Sequence, residues 1–245
     1  MRILTLTSHA ILITGVLLMA GPTLWLVMSS LPGFAGLTAL TIGFSGDVGL
    51  FDVLSNSLTL AAGVALVSTL VAFLAASVLV FAPVPGVTLV FWLSLLTLLY
   101  PVEARMIPTR QVLGTLGLIS HPAGMILPVV NTAIGMFFFR QRLRQIPREV
   151  VEAARLDGAG PLRITRDIVL PAALPAVAAV FTVTFVIGWN QYLWPLMLAR
   201  GPESYTGLVA VSFLGAGSAE ARALAVLLTA PPLMLAGLLF ARRLQ

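Results

Sequence analysis

The chain has no cysteine and no lysine, and only two histidines. Each shortage removes a class of chemistry. Without cysteine there is no disulfide, no thiolate metal site and no thiol nucleophile. Without lysine there is no ordinary P-loop, because the P-loop lysine reaches the nucleotide phosphates. Nucleotide hydrolysis by this chain alone is therefore not expected. His9 and His121 are too few and too far apart in sequence for a histidine metal cluster, so no metal site is expected. Charge is scarce too. Only 9% of the residues are charged, where a soluble domain carries roughly 25%. That is too little to cover a water-facing surface.

What is present is apolar. The 245 residues are 59% hydrophobic, with a mean hydropathy of +1.04. Runs of about 20 apolar residues, the length that crosses a bilayer, recur along the chain. They predict an all-α polytopic membrane protein with about six transmembrane helices, at about 10–30, 57–81, 87–107, 123–141, 172–198 and 220–241. The run near the N-terminus is long for the apolar core of a signal peptide and further spans follow it, so it is read as an uncleaved first helix. The third run ends near Val102, before Glu103 and Arg105. No internal repeat or second domain is visible, and residues 1–245 are read as one transmembrane domain.

The net charge of +5 comes entirely from arginine on the basic side. These arginines sit between apolar runs rather than on one polar face, which argues against nucleic acid and for the bias of cytoplasmic loops. With the N-terminus inside, the cytoplasmic set is Arg2, Arg140, Arg142, Arg144, Arg148, Arg155, Arg163, Arg166, Arg242 and Arg243. The outer set is Arg105, Arg110, Arg200 and Arg222. Both termini are expected in the cytoplasm. Trp189, Tyr192 and Trp194 then fall at the outer end of the fifth span, where an aromatic belt is expected.

One loop stands apart. Residues 142–170 hold six of the fourteen arginines together with Glu149, Glu152, Asp157 and Asp167. Pro147 suits the first turn of a helix. Beyond it, Arg148, Glu152 and Arg155 share one face, while Ile146, Val150, Val151 and Ala154 lie largely on another. Pairs between Arg148 and Glu152 and between Glu152 and Arg155 are expected to add about 0.2–0.5 kcal/mol each. Gly158 is placed for a left-handed helix cap, and Gly160-Pro161 breaks the chain and starts a second helix. The spacing predicts helix, sharp turn, helix. By its physics alone, the loop is equally a partner surface or a solvated segment that fixes topology.

Glu152-Ala153-Ala154, three residues, Gly158, nine residues, then Ile168-Val169-Leu170-Pro171 resembles the EAA loop of bacterial ABC-importer permeases. Phe139-Arg140-Gln141, Pro147, Glu149 and Asp157-Gly158-Ala159 are similar to the carbohydrate-uptake, maltose-type branch of that family. The resemblance implies a coupling helix seated in a cleft of an ATPase subunit. In it, Glu152 is the polar contact, Ala153 and Ala154 the close-packed surface, and Asp157 and Gly158 the turn. It also implies a second permease subunit, two ATPase subunits that carry ATP and Mg, and an extracytoplasmic solute-binding protein, in a bacterial inner membrane. No cofactor is implied for this chain, which is expected to be a non-catalytic subunit in contact with membrane lipid.

Residues 188–196 read GWNQYLWPL and residues 100–109 read YPVEARMIPT. Both resemble the second permease subunit of glycerol-3-phosphate importers. The resemblance runs from about residue 56 to 243, and the first outer loop is short for that family. Glycerol 3-phosphate is thus the expected solute, with another sugar or polyol as the alternative. Arg105 and Arg110 are candidate anion contacts, since a phosphate requires positive or N–H donors. Glu103 and Arg105 are also open to reading as interfacial charges that reach the headgroups. In the fifth span, Thr184, Gly188 and Gln191 share a face, with Asn190 adjacent. Polar groups at membrane depth line a path or bond neighbouring helices, and both readings stand. An intramembrane enzyme is disfavoured, because no GxSxG elbow or HExxH pair occurs. A secondary transporter is disfavoured by the lack of inverted repeats and of several intramembrane charges.

Overall fold

The computed structural model describes residues 49–82 and 85–213, with isolated positions 14, 15, 17, 18, 21, 225 and 228. The predicted first and sixth spans lie essentially outside the described residues. Within them the chain is helical, with no strand among the described residues. In chain order the helices are α1 (Leu50–Phe81), α2 (Val87–Leu96), α3 (Val102–Thr115), α4 (Pro122–Ile126) and α5 (Thr132–Leu143). They continue with α6 (Arg148–Leu156), α7 (Pro161–Ile164), α8 (Leu170–Trp189), α9 (Leu193–Leu198) and α10 (Gly207–Phe213).

Two of the predicted spans are single long helices. The 31 residues Phe51–Phe81 of α1 and the 29 residues Pro161–Trp189 through α7 and α8 are both long and apolar enough to cross a membrane. The other two are broken. The third predicted span bends by 99° between Leu99 and Val102, and the fourth by 56° between Val129 and Thr132. The first break falls at Tyr100-Pro101, where Pro101 adopts an extended conformation and caps α3. Glu103 and Arg105 therefore do not close the third span. They open α3, a separate and more polar helix turned sharply away. The fifth span also differs from its expected bounds. It begins at Pro161 and ends at Trp189, and residues beyond Asn190 turn into α9.

α1 is the hub. Its buried stripe consists of Ser57, Ala61, Ala65, Ser68, Ala72 and Ala76, each no more than 2% exposed. The steps of three and four residues place them on one face of the helix. Side chains this small let neighbouring backbones approach closely, which is how membrane helices associate without a hydrophobic drive between them. The partners complete the fit with glycine. A Cβ on Gly188 would stand 2.9 Å from the Ala61 Cα, and one on Gly135 would stand 2.8 Å from the Ala72 Cβ and 3.0 Å from Val180 Cγ1. Gly135 thus marks the point where α1, α5 and α8 meet.

Three apolar clusters fill the rest. At the end that carries the 148–169 loop, Phe73, Phe91, Met136, Phe139 and Leu143 enclose Val151 and Ile164 from that loop. Toward the far end, Ala61 and Ala65 meet Phe185 and Trp189, while Leu60 and Val64 meet Met106, Leu113, Met125 and Trp194. The aromatic-belt expectation is corrected here. Trp194 is 1% exposed and Trp189 is 7% exposed, and the Trp189 indole N–H donates to the Leu228 carbonyl at 2.7 Å. Of the three rings, only Tyr192 is exposed.

Replacing Gly188 by leucine is expected to force α8 off α1, at a cost of about 1–3 kcal/mol. The thermal unfolding midpoint in detergent should fall clearly. The lipid-facing change Leu74→Ala, at a position 48% exposed, should leave it nearly unchanged.

Candidate functional site

The loop between α5 and α8 folds as the spacing predicts, with one shift: Pro147 is the residue that precedes α6 rather than its first helical position. α6 ends in a reciprocal pair of backbone bonds. Ala159 N–H donates to Ala154 O at 2.9 Å and Gly158 N–H donates to Arg155 O at 3.0 Å. This pattern requires a left-handed residue between them, and Gly158 has φ +78°. A Cβ there would meet nothing within 4 Å, so its glycine is required by backbone conformation and not by crowding. Pro161 then opens α7, and a π-turn over Thr165–Val169 leads into α8. The Leu170 N–H reaches back to Thr165 O. Pro171 lacks the N–H that would bond the Asp167 carbonyl, which loosens the helical ladder at this point.

The two faces of α6 are used differently. Val151 is 3% exposed and packs under the loop with Phe139 and Leu143. Glu152, Ala153, Asp157 and Gly158 are exposed, and Ala154 is half-buried. Neither ion pair expected of Glu152 forms. The one ion pair among the described residues is Arg163–Asp167, at 3.6 Å and well exposed. Arg155 instead turns inward, its Nη2 donating to the Phe81 carbonyl at 2.8 Å. Glu152 is left as an exposed carboxylate beside Ala153.

Composition alone concealed one feature. Leu156 is 89% exposed and Leu162 is 81% exposed, one on each side of the Gly158 turn, with Val150 46% exposed nearby. Exposed leucines on both sides of a turn in a charged loop are more than a solvated segment requires. The two leucines bracketing Asp157-Gly158-Ala159-Gly160-Pro161 were the available signal.

The polar face of α8 divides. Gly188 lies in the contact with α1, and the Thr184 hydroxyl donates to Val180 O at 2.7 Å within its own helix. Thr184 still borders a cavity of 400 Å³ between α5 and α8, beside Phe138, Gln141 and Arg142. Asn190 is exposed and Gln191 half-buried. Their amides bond back to the last turn of α8, to Val186 O at 2.8 Å and to Ile187 O at 3.3 Å. The Gln191 bond satisfies a carbonyl that the helix end leaves open, whereas Val186 O also accepts from the Asn190 backbone N–H at 3.1 Å. On α3, Arg110 is exposed, whereas Arg105 is half-buried and its Nε is buried without a hydrogen bond. α3 and α8 thus do not bring all the candidate polar residues onto one surface.

The sequence matches, over residues 2–245, the family described as binding-protein-dependent transport system inner membrane component. The chain belongs to this family. It is the membrane permease component of such a transport system. Similar curated proteins include the sn-glycerol-3-phosphate transport system permease protein UgpE of Brucella abortus, 35% identical over 83% of this chain and 79% of that protein. The protein of the same name from Agrobacterium fabrum is 36% identical over 82% of this chain and 79% of that protein. Among solved structures, a chain of a bacterial ABC transporter involved in import of the acidic polysaccharide alginate superposes with a TM-score of 0.79. It covers 99% of this chain and 96% of its own length at 19% identity, a likeness of fold.

Because the space beside Gly158 is open, substitutions there isolate backbone conformation. Thermal stability of the purified permease should fall in the order Gly158, Asn, Ala, Val, since asparagine tolerates the left-handed region and β-branched residues do not. The alanine variant should lose about 1–2 kcal/mol.

Proposed function

We propose that this chain forms half of the translocation path of an ATP-driven importer for sn-glycerol 3-phosphate. The observation that carries the importer mechanism is the presentation of α6. Its apolar face is anchored under the loop by Val151, with Ala154 half-buried at its edge, and Glu152 and Ala153 are exposed, as is Leu156. A helix held firmly on one side and bare on the other suits a seat in a cleft of an ATPase subunit. Closure of two such ATPase subunits on ATP and Mg displaces α6, and the displacement reaches the membrane helices through the loop. In this reading Glu152 makes the polar contact, Ala153 and Ala154 pack closely, and Asp157 and Gly158 form the turn. The 142–170 loop and both termini face the cytoplasm, in line with the arginine bias.

The solute reading rests on the curated relatives, which are named for sn-glycerol-3-phosphate transport. Arg105 supports it, because a half-buried guanidinium with an unbonded Nε suits a phosphate oxygen. Arg110, exposed on the same helix, is the second candidate contact. Thr184, Asn190 and Gln191 are proposed to border the path, whereas Gly188 serves it indirectly by fixing α8 against α1. A second permease subunit completes the path, and an extracytoplasmic binding protein delivers the solute.

Reconstituted with its partners, the complex is expected to hydrolyse ATP faster when the binding protein is loaded with glycerol 3-phosphate than with maltose. Stimulation by maltose alone would keep the importer and discard the solute. Glu152→Ala should reduce the ATPase subunits that co-purify with the membrane chains, without reducing the permease in the membrane. Unaltered co-purification and uptake would remove Glu152 from its assigned role.

A further inference from the structure

α1 ends without help from its own sequence. No basic residue occupies its last turn, yet the carbonyls there have no helical partner and carry the negative end of the helix dipole. Phe81 O is one of them, and Arg155 supplies both a hydrogen bond and a positive charge from α6, 2.8 Å away. This is the one side-chain hydrogen bond between α6 and α1 among the described residues.

The surroundings of that bond are open. On one side lies a cavity of 510 Å³ lined by Ser77, Val78, Ala159, Ile164 and Val169. On the other lies a second of 350 Å³, lined by Leu79, Val80, Val87, Arg148 and Glu152. Phe81, Ala82 and Arg155 border both. The Arg155 side chain therefore borders two open clefts at the junction of the loop with the end of the hub helix. Dense packing transmits displacement because it leaves no room to deform. Val151 and Ile164 share one apolar cluster with Phe73 and Ala76 of α1, and the guanidinium adds the polar link at the last turn of α1, where the packing is open.

We infer that Arg155 is a positioning residue that passes motion of α6 to α1. The inference rests on the importer reading above. Arg155 neither docks the ATPase nor touches solute. Its role is to hold the end of α1 to the loop, so that when α6 is displaced α1 follows, and with it α5 and α8. Without it, only the apolar contacts of Val151 and Ile164 remain to carry the displacement, and α1 follows less closely.

The test uses the complete reconstituted complex with Arg155→Met, which keeps bulk and loses the donor, and Arg155→Lys, which keeps a donor and the charge. Co-purification of ATPase subunits, ATP hydrolysis and solute uptake are measured together. Arg155→Met is expected to retain its ATPase subunits and hydrolyse ATP while uptake per ATP falls at least about threefold, on the scale of coupling effects. Arg155→Lys should recover most of the loss. Because this chain has no native cysteine, spin labels are placed at Leu74→Cys and Glu149→Cys in a complex assembled with cysteine-free partner subunits. Their distance distribution should broaden in Arg155→Met. A wild-type ratio of uptake to hydrolysis in Arg155→Met, with an unchanged distribution, overturns the inference. Loss of the ATPase subunits from Arg155→Met does so too, because Arg155 would then be a docking residue. If the wild-type complex shows no ATP-dependent uptake, the importer reading fails and the tether falls with it.

Discussion

α1 lies close against both α5 and α8 because small residues, Ala72 and Ala61, face Gly135 and Gly188 where the helices cross. In a bilayer the lipid tails are as apolar as any side chain, so helices gain little by hiding leucine from them. They gain by close contact, and contact is limited by the bulk at the crossing point. Ala61 against Gly188 and Ala72 against Gly135 set the separation of the three helices. Everything that hangs from their ends takes its position from those two crossings. A single added Cβ at either glycine disturbs the whole arrangement.

The loop from α6 to α8 depends on that frame at one end and on its own backbone at the other. Val151 and Ile164 enter the cluster built on Phe139 and Leu143, so the loop docks where α1, α5 and α8 converge. Its turn is held by the bonds around Gly158 and needs no neighbour. The rigid turn and the looser π-turn before Pro171 are therefore placed in series. Such an arrangement lets a compact element move as a body while the helix behind it adjusts, which is the kind of device two-state transporters use.

Much of this was legible in the sequence. Gly158 and Gly160-Pro161 announced the turn, because few residues other than glycine adopt φ +78° easily and proline starts a helix more readily than it continues one. The apolar runs announced helices at 57–81 and 172–198, the second of which ends at Trp189. The breaks were harder to see. Hydropathy averages over a window, so Tyr100-Pro101 and Val130-Asn131 were absorbed into continuous spans although the backbone bends there by 99° and 56°. The alanine and serine stripe of α1 was visible at its spacing of three and four, but periodicity does not say which helix it meets. The partners of Arg155 and Trp189, 74 and 39 residues away, were invisible to any local pattern.

Composition and spacing by themselves determined that the chain is a helical membrane protein, that it has no lysine for an ordinary P-loop, and that its longest charged loop folds as helix, turn, helix. Those properties follow from local energetics: transfer to lipid, backbone conformation and capping. The tertiary structure alone decided that Gly188 serves packing, that Trp189 and Trp194 are interior, and that Arg155 leaves Glu152 for the carbonyl at the end of α1. Each of these depends on which orphaned group or open space a distant segment presents, and that is fixed only when the helices meet.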